Sequence, residues 1–176
     1  TSVIGTTPSY LDARSWGIAS GNSFTDSDVR SATRVALIGK TAAQNLFGDE
    51  DPVGKTIRIR QSPFVVLGEL ASKGQSLDGR DQDDTIIIPL TTAQRKVFGS
   101  QFQGSVRMVI VQANAPENMA AVEKSMTALL RQRHRLREEM DNDFFLRNLT
   151  AVADSAAETT RVMSLLLGAI ASVSLL

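Results

Sequence analysis

The chain has 176 residues, 42% of them hydrophobic but only 5% aromatic, so an aliphatic core of one large or two small domains can form. Nineteen basic residues balance nineteen acidic ones and are spread along the chain, which argues against nucleic acid as a partner. There is no cysteine, which excludes disulfides, zinc–thiolate sites, iron–sulfur clusters and cysteine nucleophiles.

In chain order, residues 3–6 read as the tail of a strand, and Pro8 starts a short helix carrying Tyr10, Leu11 and Trp16. Gly17 and Gly21 bracket a turn. Thr25, followed by Asp26 and Asp28, reads as a helix N-cap with an acidic first turn. Residues 34–39 form a short buried strand. Residues 40–47 form a helix closed by Gly48. Asp51-Pro52-Val53-Gly54 is a turn into a strand over 55–60. Its alternation points Ile57 and Ile59 inward and Thr56, Arg58 and Arg60 outward. Ser62 and Pro63 make the hairpin, and residues 64–70 return.

A polar, Gly- and Asp-rich loop covers 73–84. A buried strand follows at 85–89 and a short helix at 91–98. Residues 105–113 read as another strand. Pro116 opens a long amphipathic helix, with Met119, Val122, Met126 and Leu129 on one face, running to Met140. A last strand is expected at 143–149. From Thr150 the chain turns helical and enters a tail, 162–176, without a charge. A membrane helix needs about 20 such residues and a run of 10–14 is more often a buried helix, so fifteen fits either a truncated span or a terminal core helix. The Gly, Ala and Ser scattered through the tail suit helix packing in a bilayer. The fold class is therefore α+β, with a strand-rich middle inserted in a βα framework.

No motif points to catalysis. A phosphate-binding loop needs glycine five residues before its second glycine. Arg34 holds that place before Gly39-Lys40-Thr41, and Asp49 holds it before Gly54-Lys55-Thr56. Asp78, Asp81, Asp83 and Asp84 lack the alternation of a calcium loop and read as a solvated loop. His134, the single histidine, sits among Arg131, Arg133, Arg135 and Arg137. It reads as a surface residue on a solvated helix face with internal ion pairing.

The ordered set of short motifs resembles the periplasmic core domain of MacB-type ABC transporter permeases. It comprises Tyr10, Trp16, Gly21 and Phe24; Val35-Ala36-Leu37-Ile38-Gly39 with Leu46-Phe47-Gly48; the run from Asp51 to Ile59; Phe64-Val65-Val66-Leu67-Gly68; and the run from Asp84 to Arg95. The resemblance implies a domain between two transmembrane helices of a bacterial inner-membrane protein, on the periplasmic side. Thr1 would lie just after the first helix, and the tail from Val162 would begin the second. It implies a porter-like subdomain from 1–34 plus 105–155, a Sabre-like insertion over 35–104, and a helix over 156–176 entering a truncated span.

It also implies the partners: an ATPase domain or subunit not in this chain, a periplasmic adaptor protein, the membrane through flanking helices, and a second copy in a homodimer. ATP-driven motion would pass outward through the domain for efflux or export, or for lipoprotein release. No cofactor and no catalytic residue is implied. The loop with Asp78, Asp81, Asp83 and Asp84, expected far from the membrane, is the candidate adaptor site. The residues alone leave open a stand-alone extracytoplasmic sensor or ligand-binding domain with a packed C-terminal helix.

Overall fold

The computed structural model describes residues 1–76, 79–99, 105–148 and 163–164. They belong to two units, Thr1–Gln112 and Ala113–Leu176. The first is built on a mixed six-stranded sheet with the order β1-β6-β3-β5-β2. In chain order, β1 (Ser2–Thr6), α1 (Ser9–Ala13), β2 (Ile18–Gly21) and α2 (Asp26–Ser31) precede β3 (Val35–Ile38) and α3 (Lys40–Phe47). Next come β4 (Thr56–Ile59), β5 (Ser62–Leu70), β6 (Thr85–Pro89) and α4 (Leu90–Thr92), which runs into a π-helical turn, Ala93–Val97.

The pairs β1–β6 and β3–β5 are parallel, and β3–β6 and β2–β5 are antiparallel. β4 and β2 lie end to end on the edge of β5 opposite β3, with Thr56 facing Val65 and Gly21 facing Gly68. Strands from both 1–34 and 35–104 thus share one sheet. The α+β class expected from the pattern of elements is what the structure shows.

β3 and β6 are buried along their whole length, as their unbroken apolar runs require of strands covered on both faces. Their side chains alternate between two cores. Ala36, Ile38, Ile86 and Ile88 join Ile57, Ile59, Phe64 and Val66 against Ala42, Ala43, Ala93 and Val97 from α3 and the π-turn. Val35, Leu37 and Ile87 join Leu11, Trp16, Phe24 and Leu70 on the other face. A bulge in β5 makes this division possible. Ala36 pairs with Val66 but Leu37 pairs with Gly68, so Leu67 is an extra residue. Before it, Phe64 and Val66 face the first core; after it, Leu70 faces the second.

Helix ends are set locally. Thr25 is the N-cap of α2, as the sequence predicts, and Asp28 completes a capping box with it. Three helices end without glycine. Ser15, Ala32 and Arg135 take left-handed backbone, with φ of 47, 52 and 56°. At each, two amides reach back in the Schellman pattern: Trp16 N–H to the Leu11 carbonyl, Thr33 to Asp28, and Leu136 to Arg131, with Ser15, Ala32 and Arg135 bonding to Asp12, Val29 and Gln132.

In the second unit a 3₁₀ turn (Pro116–Asn118) opens α5 (Met119–Arg133). The helix expected to reach Met140 stops at Arg133, because Arg135 reverses the backbone. The Arg131 guanidinium then clamps the following segment, donating to the carbonyls of Arg137, Glu138 and Met140 and to Asn142 Oδ1.

Other expectations change too. The turn expected between Gly17 and Gly21 is strand β2, because pairing with β5 overrides the glycine signal. The β4–β5 loop is Arg60-Gln61, with φ of 55° at Arg60, and not Ser62-Pro63. Pro63 sits within β5 opposite Arg58, and its missing N–H points away from β4 at a position β3 does not reach. The strands expected at 105–113 and 143–149 do not form among the described residues; Leu149 lies outside them. No described helix is long and apolar enough to cross a membrane. The tail at 165–176, and with it the expected truncated span, lies outside the described residues.

Two stability outcomes follow. Ile87→Ala, at a fully buried central position, should cost about 3 kcal/mol in urea unfolding monitored by circular dichroism. Ala32→Gly should instead raise stability by roughly 0.5–1 kcal/mol, because glycine accepts the left-handed cap without strain; an unchanged or lower midpoint would contradict the cap assignment.

Candidate functional site

The C-terminal ends of β3 and β5 and the starts of β1 and β6 lie at one end of the sheet. The loop between β5 and β6 closes that end. Asp83 organises it. Only 4% exposed, its carboxylate accepts from the Ser72 hydroxyl at 2.6 Å and from the amides of Lys73 and Gly74 at 2.7 and 3.0 Å. Burial pushes this carboxyl up, but those donors together outweigh burial and hold it below the usual carboxylate range. The backbone of Asp83 is occupied as well. Its N–H donates to Asp81 Oδ1, and its carbonyl accepts from Ala42. A Cβ on Gly39 would lie 2.3 Å from that carbonyl, so only glycine fits between β3 and α3.

The inner wall of the loop is α1 and the turn behind it. Trp16 Nε1 donates to the Ala71 carbonyl at 2.7 Å. Lys73 lies over the Trp16 ring, 5.3 Å from its centroid, and donates to the Arg14 carbonyl. Burial, and after it the Arg14 charge, depress the Lys73 pKa. Arg14 reaches Gln82 Oε1 at 3.1 Å.

The four candidate aspartates therefore part company. Asp83 is an internal latch, which corrects the reading of a wholly solvated loop. Asp84 is tied to Thr1, accepting from its hydroxyl at 2.7 Å. That hydroxyl lowers the Asp84 pKa. The loop thus lies beside Thr1 and not at a tip remote from it. Asp81 is exposed, and Asp78 lies outside the described residues. Among the described residues no cluster of acids and histidine has metal-site geometry.

The remaining motifs resolve simply. Gly39 N–H donates to the Thr85 carbonyl and Gly54 N–H to the Val66 carbonyl, so both Gly-Lys-Thr amides serve the sheet. His134, the expected surface residue, is half-exposed. It pairs with Asp143 at 2.8 Å and meets Phe144 edge-on at 5.9 Å. A shallow cleft beside α3 holds an ion pair, Lys40 with Glu69 at 3.2 Å, that sequence patterning did not reveal. The bulge at Leu67, which the sequence does not signal, turns Glu69 to the α3 face of the sheet and so brings the pair together.

The family model described as MacB-like periplasmic core domain matches residues 1–129. The chain belongs to that family. A macrolide export ATP-binding/permease protein MacB from Rhodospirillum rubrum is 39% identical over 100% of this chain and 26% of its own length. One from Chlorobium luteolum is 37% identical over 92% of the chain and 24% of its length. The pyoverdine export ATP-binding/permease protein PvdT of Pseudomonas aeruginosa is 34% identical over 98% and 25%. The chain spans about a quarter of the length of these relatives.

Among solved structures, the periplasmic region of MacB from Actinobacillus actinomycetemcomitans superposes with a TM-score of 0.66 at 25% identity, over 87% of this chain and 64% of that one. The extracellular domain of the ABC-type transporter YknZ from Gram-positive bacteria shares the fold, with a TM-score of 0.58 at 23% identity over 77% and 66%. In this MacB-like domain Asp83 ties the start of the β5–β6 loop and the start of α3 to that end of the sheet.

Asp83→Ala should cost about 2 kcal/mol, since it strands three donors, whereas Asp83→Asn should recover part of that loss. The carboxyl titrates lower in the folded than in the unfolded state. Its contribution is therefore full above about pH 4 and fades as pH falls through the folded value. Denaturant melts of the parent chain from pH 6 to 3 should show this acid loss, and Asp83→Asn should flatten it.

Proposed function

We propose that this chain is the extracytoplasmic part of an ABC transporter permease subunit, set on the periplasmic side of the bacterial inner membrane. It carries motion driven by ATP hydrolysis in another domain or subunit outward, and it docks a periplasmic adaptor protein during efflux or export. The supporting observation is the alignment of the whole chain with proteins named as ATP-binding/permease exporters, of which it spans about a quarter. On this reading the charge-free run at 162–176 begins a membrane helix and the segment leading into it is the coupling rod. A helix suits that task because its backbone hydrogen bonds are all internal. The working unit is a homodimer.

The division into porter-like and inserted parts also belongs to this proposal. In it, 1–34 plus 105–155 form the porter-like part and 35–104 the Sabre-like insertion, joined to it through the shared sheet. Asp81, exposed on the loop that Asp83 holds in shape, is the described carboxylate best placed to meet a basic patch on an adaptor, with Asp78 on the same loop.

Replacing Asp78 and Asp81 by lysine in the intact transporter should reduce adaptor co-purification roughly tenfold at low salt, and Asp81→Asn, which keeps the oxygen that accepts from the Asp83 N–H, should weaken it without shifting the melting midpoint. Unchanged recovery would remove the loop from the docking site. Deleting 162–176 should leave the urea midpoint of the sheet unchanged; unfolding would mean the tail is core and would favour a self-contained sensor domain.

A further inference from the structure

Arg14 and Lys73 are two neighbouring cations without a counter-charge. Arg14 follows α1, Lys73 opens the β5–β6 loop, and both are partly buried. Among the described residues no carboxylate pairs with either. Lys73 spends one N–H on the Arg14 carbonyl and lies over the Trp16 ring. An ammonium has three donors, so two are left. The Arg14 guanidinium donates through Nη2 to Gln82 Oε1 at 3.1 Å, while its Nε is buried without a partner. Nε and Nη2 form the edge of the fork that grips an oxyanion with two parallel bonds. One neutral amide oxygen therefore holds an edge suited to two charged ones.

The described carboxylates of this loop are engaged elsewhere. Asp83 accepts from Ser72, Lys73 and Gly74, Asp81 from the Asp83 N–H, and Asp84 from the Thr1 hydroxyl. The uncompensated pair leaves its mark on Lys73, whose pKa is depressed by burial and, after it, by the Arg14 charge. We propose that Arg14 and Lys73 form a binding site for a phosphate group, which displaces the Gln82 amide, bridges Nε and Nη2 of Arg14 and takes the free donors of Lys73. A phosphate suits the site better than a carboxylate. Its nearly double charge answers two cations, and its additional oxygen lets it serve both side chains at once. Binding here depends on neither the transporter reading above nor adaptor docking.

Trp16 is the single tryptophan, so its fluorescence reports on the ammonium above its ring. Titrating residues 1–176 with inorganic phosphate at neutral pH and constant ionic strength should give a saturable change. The Kd should be on the order of 1 mM, the strength of a few charge-assisted hydrogen bonds at a partly wet site. Lys73→Gln should weaken binding at least roughly tenfold, and so should Arg14→Lys, which keeps the charge but loses the fork. Gln82→Ala removes the competing amide and should tighten it. Arg60→Gln, in the β4–β5 loop, should leave it unchanged. In the intact transporter subunit, phosphate should slow modification of Lys73 by an amine-reactive ester, read by mass spectrometry.

Phosphatidylcholine vesicles containing phosphatidic acid separate the two sources of the group. Co-sedimentation lost in Lys73→Gln would make the ligand a lipid headgroup; no co-sedimentation, or one that survives Lys73→Gln, would make it a soluble phosphate. Both sustain the site. A change matched by chloride at equal ionic strength, or equal binding of acetate, would overturn it. So would unchanged affinity in either Lys73→Gln or Arg14→Lys, weakened affinity in Arg60→Gln, or a Gln82→Ala variant that binds no tighter. A Lys73 that phosphate does not protect in the intact subunit would overturn it as well, since the rest of the polypeptide would then cover or neutralise the pair.

Discussion

One extra residue in β5 determines how this domain closes. Without the bulge at Leu67, Phe64, Val66 and Leu70 would all point to the same face, because strand side chains repeat every second residue. The core against Trp16 and Phe24 would then lose its leucine. The bulge lets a single strand feed two cores, and it divides the far edge of β5 between β4 and β2. Gly68, directly after the bulge, shows how tight the fit is: a Cβ there would lie 2.8 Å from the Ser20 carbonyl. The pairing that makes β2 a strand and the shift that moves Leu70 are thus one event.

The same strand delivers its end to the polar cap. Leu70 is fully buried, and the chain leaves the core at Ala71, whose carbonyl accepts from Trp16 Nε1 and whose N–H donates to the Gly17 carbonyl. The next three residues wrap one carboxylate. A buried carboxylate is costly unless its lone pairs are filled, and three donors fill those of Asp83. Hydrogen bonds to the charged form then overcome desolvation, which is why its pKa falls although burial alone would raise it. The start of the loop, 72–74, is thus tied to its end at Asp83.

What was legible in the sequence was what local physics decides. The unbroken apolar runs of β3 and β6, the alternation in β4, the cap at Thr25 and the stop at Gly48 depend on neighbours a few residues away. The misses share a different cause. The fate of Asp83 depended on donors from 72–74 that folding brings to it, so composition grouped it with exposed acids. β2 exists only because β5 is beside it. The ends of α1, α2 and α5 were invisible because Ser15, Ala32 and Arg135 take the conformation that glycine normally signals. At Arg135 the chain then turns back under Arg131, and that is why α5 stops before the basic, helix-prone run is used up.

The two units differ in what stabilises them. The first closes both of its cores with its own strands and helices. Each fully buried aliphatic side chain contributes about 1.5–3 kcal/mol there. The described part of the second unit has no such term. α5 spans 15 residues, near the length below which an isolated helix is marginal in water, and none of them is buried. Its end is fixed by the Arg131 clamp and the His134–Asp143 hydrogen bond, both partly exposed, and such hydrogen bonds contribute about 0.5–1.5 kcal/mol each. Polar contacts of that size fix a geometry but do not fold a helix. Among the described residues α5 thus has no fully buried side chain to drive it, whereas the sheet of the first unit is complete in itself along β3 and β6.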